Sequence, residues 1–220
     1  MKVFDRPMNY DRHVWYNDKR HISCQNEDGR QGKPMKVTRE QAKKNRARVL
    51  DVAGRLFRQK GLDGIGVDDL MKNAGLTHGG FYANFKSKED LMAQSCEHSH
   101  DELVESWSNV AARATGDPLT AVVAGYLSAR HLKDPGNGCV VAALGADLAR
   151  KTPFVRHGVT EGMRRFVELL TQIVPGRSGV ARRKRALATY ASLVGAMVLA
   201  RAADDPALSK EILRAVAASL

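Results

Sequence analysis

The chain has 220 residues, of which 43% are apolar and 27% charged, so one or two domains with a sizeable core fit its length. Lysine and arginine total 35 against 24 aspartate and glutamate residues, and the formal net charge is +11. This excess favours a polyanionic partner, either nucleic acid or an anionic membrane surface. No apolar run is long enough to span a bilayer, and the N-terminus lacks the continuous apolar stretch of a signal peptide. We therefore expect a cytoplasmic protein that does not insert into a membrane.

The cysteines do not form the pattern of a disulfide framework. Cys24, Cys96 and Cys139 are odd in number and far apart. This distribution agrees with a reducing compartment, where thiols stay free.

Residues 1–37 differ from the rest of the chain. They are polar, show neither helical nor strand periodicity, and include the turn-forming stretch "NEDGRQGKP". We predict a disordered N-terminal extension. Met35 begins "MKVTREQ", which could serve as a translation start, so one hypothesis is that residues 1–34 are an upstream extension. The alternative is a functional basic arm, although acidic residues within the stretch dilute its charge.

A first helix is predicted from Thr38, which can cap its start, to Gly61, which can end it. Apolar residues recur at helical spacing from Val49 to Phe57 and form one face. The remaining faces are strongly basic, which is as consistent with a phosphate-facing surface as with an ordinary solvated one. The candidate DNA contacts in this helix are Arg39, Lys43, Lys44 and Arg46.

Two short helical segments follow and are joined by a turn. In "GVDDLMKNAG", residues 66–75, Asp68 and Asp69 occupy the first turn, where the helix dipole favours acidic residues. In "LTHGGFYANF", Thr77 can cap a second short helix that runs to about Asn84. This arrangement predicts a helix-turn-helix, whose second helix enters the major groove of DNA.

Two adjacent glycines in the first turn of that second helix need an explanation, since each costs about 1 kcal/mol relative to alanine. Without side chains at Gly79 and Gly80, the backbone can approach phosphates or base edges closely. The alternative is a glycine-rich loop between two unrelated helices, but the caps, the aromatic pair and the basic flank all agree with the helix-turn-helix. The candidate DNA contacts here are Thr77, His78, Gly79, Gly80, Tyr82, Asn84 and Lys88.

Residues 39 to about 91, which include "RARVLDVAGRLFRQKGLDGIGVDDLMKNAGLTHGGFYANFKSKEDL", resemble the DNA-binding domain of the TetR family of bacterial transcriptional regulators. The resemblance implies an all-α fold with a three-helix helix-turn-helix head and a larger helical body that binds a small molecule and forms a homodimer. Thr77, Gly79, Tyr82 and Lys88 match positions that usually touch DNA in this family. Gly66 and Asn84 depart from the family pattern, which commonly has a Thr or Ser cap and a His there.

We therefore predict the head over residues 38–86 and the ligand-binding and dimerisation body over residues 87–220. Strand alternation is absent from the body. Its predicted helical segments are Pro118–His131, Cys139–Arg150, Pro153–Val174, Arg182 to about Ala203, and Pro206–Leu220.

Large residues in the body are candidates for an effector pocket, although each is more often an ordinary core residue. They are Trp107, Tyr126, Phe166 and Tyr190. Cys139 follows "GNG" and is predicted to begin a helix, where the dipole can lower the pKa of a thiol. It is either an electrophile-responsive thiol, as in some members of a subgroup with a similar Gly-Cys element, or a small buried residue.

The last two helices carry apolar stripes that predict a four-helix dimer interface, the alternative being packing within one chain only. The residues are Leu187, Val194, Met197, Val198, Leu208, Ile212 and Val216. Cys96 and His100 are four residues apart, but no second cluster supports a metal site, and neither a metal nor a cofactor is expected.

The predicted function is that of a dimeric repressor, which binds a pseudo-palindromic DNA operator and is released by a small molecule or an electrophile. No catalytic motif supports an enzyme. A transcriptional activator of the same fold and a sequence-neutral DNA-binding protein are the alternatives.

Overall fold

The computed structural model describes residues 38–220 of the chain. The N-terminal extension and the start site suggested at Met35 lie outside the described residues. Within the described range the chain forms ten α-helices and a short 3-10 turn, and none of these residues forms a β-strand. The prediction of an all-α fold is confirmed.

The first four helices are α1 (Arg39–Lys60), α2 (Val67–Asn73), α3 (His78–Tyr82) and α4 (Lys88–Arg113). The remaining helices are α5 (Pro118–Tyr126), α6 (Ala129–Lys133), α7 (Val140–Ala149), α8 (Pro153–Ile173), α9 (Gly179–Ala202) and α10 (Pro206–Ser219). The 3-10 turn, Pro135–Asn137, lies between α6 and α7.

Local side-chain chemistry explains where the first helices begin and end. The Thr38 hydroxyl accepts a hydrogen bond from the backbone N–H of Gln41 at 3.1 Å and caps α1. Gly61 ends α1 with a φ of 81°, and Gly75, with a φ of 68°, forms the turn after α2. Gly66 precedes α2 and offers no side-chain cap, as its lack of a side chain predicts.

Two predicted boundaries in the body were wrong. The segment predicted as one helix from Pro118 to His131 is two helices, because α5 ends at Tyr126 and the Ser128 hydroxyl caps a new helix by accepting from His131 N–H at 3.2 Å. Helix α9 begins at Gly179 and not at Arg182, because Ser178 caps it through the N–H of Ala181.

Two apolar clusters hold the described residues together. The first joins α1–α4 to α7 and α8 and includes Phe57, Leu62, Phe81, Leu144 and Val159. The second lies in α5 and α7–α10 and is built around Tyr126, Phe166, Leu193 and Met197. The head–body boundary predicted at residue 86 stays a prediction, and the first cluster extends across it.

Glycines let α4 pack closely between α1 and α8. A Cβ at Gly54 would overlap Ser99, and a Cβ at Gly162 would overlap the ring of His100. His100 is fully buried, and neither ring nitrogen has a hydrogen-bond partner among the described residues. Burial, together with the nearby Arg165 and Arg58, lowers the pKa of His100 to about 4, so its imidazole is neutral at pH 7.

Candidate nucleic-acid interface

Helix α3 buries one face and leaves the other open. Phe81 and Phe85 are 1% and 2% exposed, and their ring centroids lie 5.8 Å apart within the first apolar cluster. Tyr82 lies on the opposite side and is 68% exposed. Thr77 and His78, at the start of the helix, are also exposed. The structure therefore leaves three of the predicted DNA contacts exposed, two of them on the open face of a short, well-anchored helix and Thr77 at its start.

The two adjacent glycines lie in different surroundings. Gly79 is exposed, and a Cβ added there would meet nothing within 4 Å. Gly80 is half-buried, and a Cβ there would lie 3.6 Å from Cε of Met71 in α2. Only Gly79 leaves its backbone open to solvent, whereas Gly80 faces the packing between α2 and α3.

The start of α3 is oriented by α2 and by its own aromatic residues. Nδ1 of His78 contacts the carboxylate of Asp68, which lies in the first turn of α2. The His78 ring lies 5.5 Å from the ring of Tyr82 on the same open face. The predicted side-chain cap at Thr77 was wrong, because its hydroxyl accepts no capping bond and α3 starts without one.

Two predicted contacts are already engaged within the protein. The side-chain amide of Asn84 donates to the carbonyl of Gly80 at 2.8 Å and closes the end of α3. Arg46 places its guanidinium 5.2 Å from the Phe85 ring centroid and hydrogen-bonds to Gln94 of α4. Both side chains are half-buried and fix α3 and α4 in place.

The other cations lie near the N-terminal ends of two helices. Arg39 and Lys43 are exposed in the first turns of α1, where Lys44 also forms an exposed ion pair with Glu40 at 2.7 Å. Lys88 occupies the first turn of α4 and is half-buried. These positive charges and the open N–H groups of a helix start suit phosphate oxygens.

The start of α4 has a capping box in a shifted form. Ser87 accepts from the N–H of Asp90 at 3.1 Å. The Asp90 carboxylate bonds at 2.9 Å to the N–H of Lys86, one residue before the position that a capping box uses. Both bonds hold the turn between α3 and α4.

The five residues proposed for an effector pocket come together, but mostly as packed core. Ring centroids lie 5.9 Å apart for Trp107 and Tyr126, 6.3 Å for Tyr126 and Phe166, and 4.9 Å for Phe166 and Tyr190. Cys139 is fully buried among them. Of the five, Trp107 lines a cavity of about 310 Å³, while the other four line neither this cavity nor a larger one between α7 and α8.

The Cys139 thiol lies in an unusual polar setting. Its backbone N–H donates to Nε2 of His131 at 2.9 Å, and Nδ1 of His131 donates to the carbonyl of Tyr126 at 2.6 Å, so this imidazole is neutral. Burial raises the pKa of Tyr126 and of Tyr190, and the neighbouring Cys139 raises both further by a smaller amount. Neither tyrosine hydroxyl has a well-aligned hydrogen-bond partner among the described residues.

The sequence singled out Cys96 and His100 as a conceivable metal pair, but both side chains are buried in the core. Burial raises the pKa of Cys96 to about 12, so its sulfur remains a thiol. A different face of α4 carries His98 and Glu102, which lie close to Asp51 of α1. His98 Nε2 is 2.6 Å from Asp51 Oδ1 and 3.5 Å from Glu102 Oε1. We interpret this exposed group as an ion-paired link between α1 and α4, which only tertiary contact reveals.

The seven residues predicted for the dimer interface on α9 and α10 differ in how exposed their side chains are. Leu187, Val198 and Leu208 are exposed, whereas Met197 is fully buried in the second apolar cluster and adds nothing to the surface. The other three, Val194, Ile212 and Val216, are half-buried. Leu199, which the sequence analysis did not select, is 59% exposed.

Known proteins match the sequence of the head. The sequence model of a family described as bacterial regulatory proteins, tetR family, matches residues 49–94. The HTH-type transcriptional regulator AcrR of Shigella flexneri is 36% identical over 85 residues, which cover 39% of this chain and 40% of AcrR. The uncharacterized HTH-type transcriptional regulator YfiR of Bacillus subtilis is 33% identical over 67 residues, which cover 30% of this chain and 33% of YfiR. The chain therefore spans less than half the length of these curated relatives.

Solved structures match over most of the described chain. Reduced NemR of E. coli aligns with a TM-score of 0.68 and 22% identity over 80% of this chain and 94% of NemR. A TetR-family regulator from Agrobacterium tumefaciens aligns with a TM-score of 0.67 and 20% identity over 81% of this chain and 98% of that protein. At these identities the structural likeness concerns the fold.

The sequence relatives are named as transcriptional regulators, which agrees with the prediction that the chain is not an enzyme. The family match covers α2, α3 and parts of α1 and α4, the same helices that build the open face around Tyr82. Residues 49–94 therefore match the sequence model of the tetR family of bacterial regulatory proteins, and the fold of the described chain is like that of solved regulators.

Proposed function

We propose that this protein is a dimeric, effector-responsive repressor that binds a specific DNA operator through α3. The observation that carries the proposal is the open face of α3. A Cβ added at Gly79 would meet nothing within 4 Å, and Tyr82 is 68% exposed, while the buried Phe81 anchors the opposite face of the helix. A helix of this shape can enter the major groove with its backbone close to the duplex. Its N-terminal residues, Thr77 and His78, then face base edges or phosphates.

The basic residues supply the part of the affinity that does not depend on sequence. Arg39 and Lys43 are exposed and Lys88 is half-buried, and each is a cation that would neutralise a phosphate of the bound duplex. Such contacts release counterions, so binding should weaken steeply as salt rises. Sequence preference comes from the face of α3, and the formal charge of +11 serves positioning and steering.

Two copies are needed to read a pseudo-palindrome. The exposed apolar residues of α9 and α10, Leu187, Val198 and Leu208, offer a self-complementary surface for a four-helix interface. A dimer places two α3 helices one helical turn of DNA apart, about 34–36 Å. A small molecule that binds better to a conformation with a different spacing then lowers DNA affinity by linkage.

Repression follows if the bound dimer blocks the polymerase in the cytoplasm. An activator of the same fold would bind the same kind of operator, and a reporter gene distinguishes the two by the sign of its response when this protein is removed. A sequence-neutral DNA-binding protein would instead show no large preference between one site and random DNA.

The decisive experiment is selection of bound duplexes from randomised DNA, followed by affinity measurements with Tyr82→Ala. We expect one pseudo-palindrome to bind at least a thousandfold more tightly than random DNA. Tyr82→Ala should weaken binding to that duplex at least about tenfold, because a side chain on the reading face is lost. Fluorescence anisotropy with a labelled duplex measures both numbers.

The matched control is Phe154→Ala, which removes another exposed aromatic side chain, in the first turn of α8. This variant should bind the duplex like the unmodified protein, and urea unfolding should show that both variants remain folded. Unchanged affinity in folded Tyr82→Ala would refute the placement of α3 at the DNA.

A further inference from the structure

A groove between α7 and α8 has the size of a small-molecule site. We call it the α7–α8 groove, and its volume is about 550 Å³. Its apolar wall comprises Val141, Leu148, Val159 and Met163. Ligand pockets commonly fall in this size range and combine apolar walls with a few polar groups. The sequence did not indicate this groove, because its walls come from two helices whose contact is not visible in a local pattern.

The polar lining of the groove comprises two arginines together with His157 and Thr160. Arg156 and Arg164 both line it, and none of its lining residues is acidic. Arg164 forms an exposed ion pair with Glu161. Arg156 is exposed and makes no side-chain ion pair within residues 38–220. The groove therefore offers one uncompensated guanidinium beside an apolar wall, and a guanidinium binds a carboxylate or sulfonate with two parallel hydrogen bonds.

The apolar wall of the groove belongs to the same apolar cluster as the helices of the head. Leu148 and Val159 belong to the apolar cluster that contains Phe57 and Leu62, and Met163 packs against the same cluster. A molecule bound between α7 and α8 would therefore contact side chains of the same apolar cluster that includes the end of α1 and the loop after it.

Polar contacts join the same end of α7 to that loop. The Asp147 carboxylate accepts from the backbone N–H of Leu62 at 3.2 Å. Just beyond α7, Nζ of Lys151 pairs with both carboxylate oxygens of Asp63, at 2.6 and 2.8 Å. These contacts lie next to the wall of the groove, so a displacement of α7 is passed to the head without an intermediate element.

We propose that the α7–α8 groove binds an amphipathic organic anion, with its apolar body against the wall and its anionic group on Arg156. The bound anion moves the end of α7 and, through Asp147 and Lys151, the loop at residues 61–63. That second step depends on the proposed function, whereas binding of the anion does not.

The test uses two fluorescent probes of similar apolar size. One is the anion 8-anilinonaphthalene-1-sulfonate, and the other is uncharged N-phenyl-1-naphthylamine. Gly145→Leu should weaken both probes at least tenfold, because Gly145 lines the groove and a Cβ there has only an ordinary contact, 3.7 Å from Val141, so the larger side chain extends into the space. Arg156→Gln should weaken the anion about three- to tenfold and leave the uncharged probe unchanged.

Arg177→Gln is the matched control, since Arg177 is exposed in the loop before α9. It should bind both probes like the unmodified protein. Circular dichroism checks that Gly145→Leu is folded, and Arg156→Gln tests the proposal independently of that variant. Unchanged anion affinity in Arg156→Gln, or an equal loss of both probes, would overturn the assignment of an anionic ligand. Loss of binding in Trp107→Ala alone would assign the probes to the smaller cavity instead.

These titrations contain no DNA, so they stand whether or not the operator hypothesis holds. In a second arm, the anionic probe is added to the complex with the selected duplex. We expect release from the unmodified protein and no release from Gly145→Leu. If the unmodified protein binds no duplex, the proposed function is refuted. The assignment of the groove is then decided by the probe titrations alone. Probe binding without release of DNA overturns the proposed route through α7.

Discussion

Single residues with similar sequence character have different roles once they are placed. Gly79 and Gly80 are neighbours, yet one is open to solvent and the other faces Met71. Helical geometry explains this difference, because successive residues are rotated by about 100° around the axis. The sequence therefore predicts that a glycine pair is functional, but it does not show which member leaves the backbone accessible.

Cys139 was predicted either as an electrophile-responsive thiol or as a small buried residue. Its burial is complete, and the hydroxyls of Tyr126 and Tyr190 lie in the same pocket of the core. A close-packed site has no room for an adduct, so modification would require the surrounding aromatic core to rearrange. Burial is therefore expected to slow modification of the Cys139 thiol, and any adduct that forms would displace the surrounding aromatic side chains.

We predict that Cys139→Ser keeps operator affinity within about twofold and abolishes release by N-ethylmaleimide, because the reacting sulfur is gone. Anisotropy of the labelled duplex before and after treatment measures this. Cys96→Ser is the matched control: it removes another buried cysteine, whose pKa is raised to about 12 by burial, and release should persist. The same release from Cys139→Ser as from the unmodified protein would leave Cys139 as a packing residue.

At the scale of elements, α4 connects the DNA-binding helices to the body. It packs against α1 at Gly54 and against α8 at Gly158 and Gly162. At Gly158, an added Cβ would lie 3.1 Å from Cβ of Glu97, which is tighter than ordinary contact. Close helix contacts of this kind leave little freedom for α4 to slide, so a shift of α8 should be passed to α4 as a unit.

We predict that Gly162→Ala lowers the free energy of unfolding by about 1–3 kcal/mol, because the new methyl group overlaps the buried ring of His100. Gly145→Ala is the matched control, since it adds a methyl group in a helix interior with ordinary contacts only. That variant should be stabilised by up to about 1 kcal/mol through helix propensity. Urea unfolding followed by circular dichroism measures both, and equal effects in the two variants would contradict close packing at Gly162.

At the scale of the whole molecule, the described part of one chain leaves apolar surface uncovered on its last two helices. Leu187, Val198, Leu199 and Leu208 are each 44–59% exposed. Leu187 and Val198 are eleven residues apart on α9 and therefore lie on the same face, about three turns apart. A monomer with this surface would gain by burying it against a second copy.

We predict that the double variant Leu187→Glu/Val198→Glu is monomeric at concentrations where the unmodified protein is a dimer, because apposed copies would bury like charges. Its affinity for the full pseudo-palindrome should fall at least about hundredfold, while weak half-site binding remains. Light scattering with sedimentation measures the mass. Val180→Glu, at the exposed start of α9, is the control and should stay dimeric; a dimeric double variant would exclude this interface.

Membrane insertion finds no support in the described part of the chain. Over residues 38–220, no helix combines the length and the apolar character that a bilayer crossing requires. Part of the positive charge counted in the composition lies on α1, whose first turns expose Arg39 and Lys43.

Local chemistry was enough to predict most helices and the head. The cap at Thr38, the glycines at 61 and 75, and the helical spacing of apolar residues are short-range signals, which a chain carries in its own sequence. The wrong boundaries near Ser128 and Ser178 were short-range as well, because each hydroxyl caps the start of a helix that the apolar pattern alone did not place there.

The sequence by itself determined the all-α class, the helix-turn-helix and the family resemblance of the head, because periodicity, capping and a contiguous motif are local properties. Tertiary structure decided which residues lie open, which of the two glycines leaves its backbone accessible, and that Met197 is core and Leu199 surface. It also decided where an effector could bind, since the α7–α8 groove and its ties to the loop at residues 61–63 join segments far apart in the chain. Contacts of that kind depend on how helices pack against each other, and a single sequence does not contain that information in any local pattern.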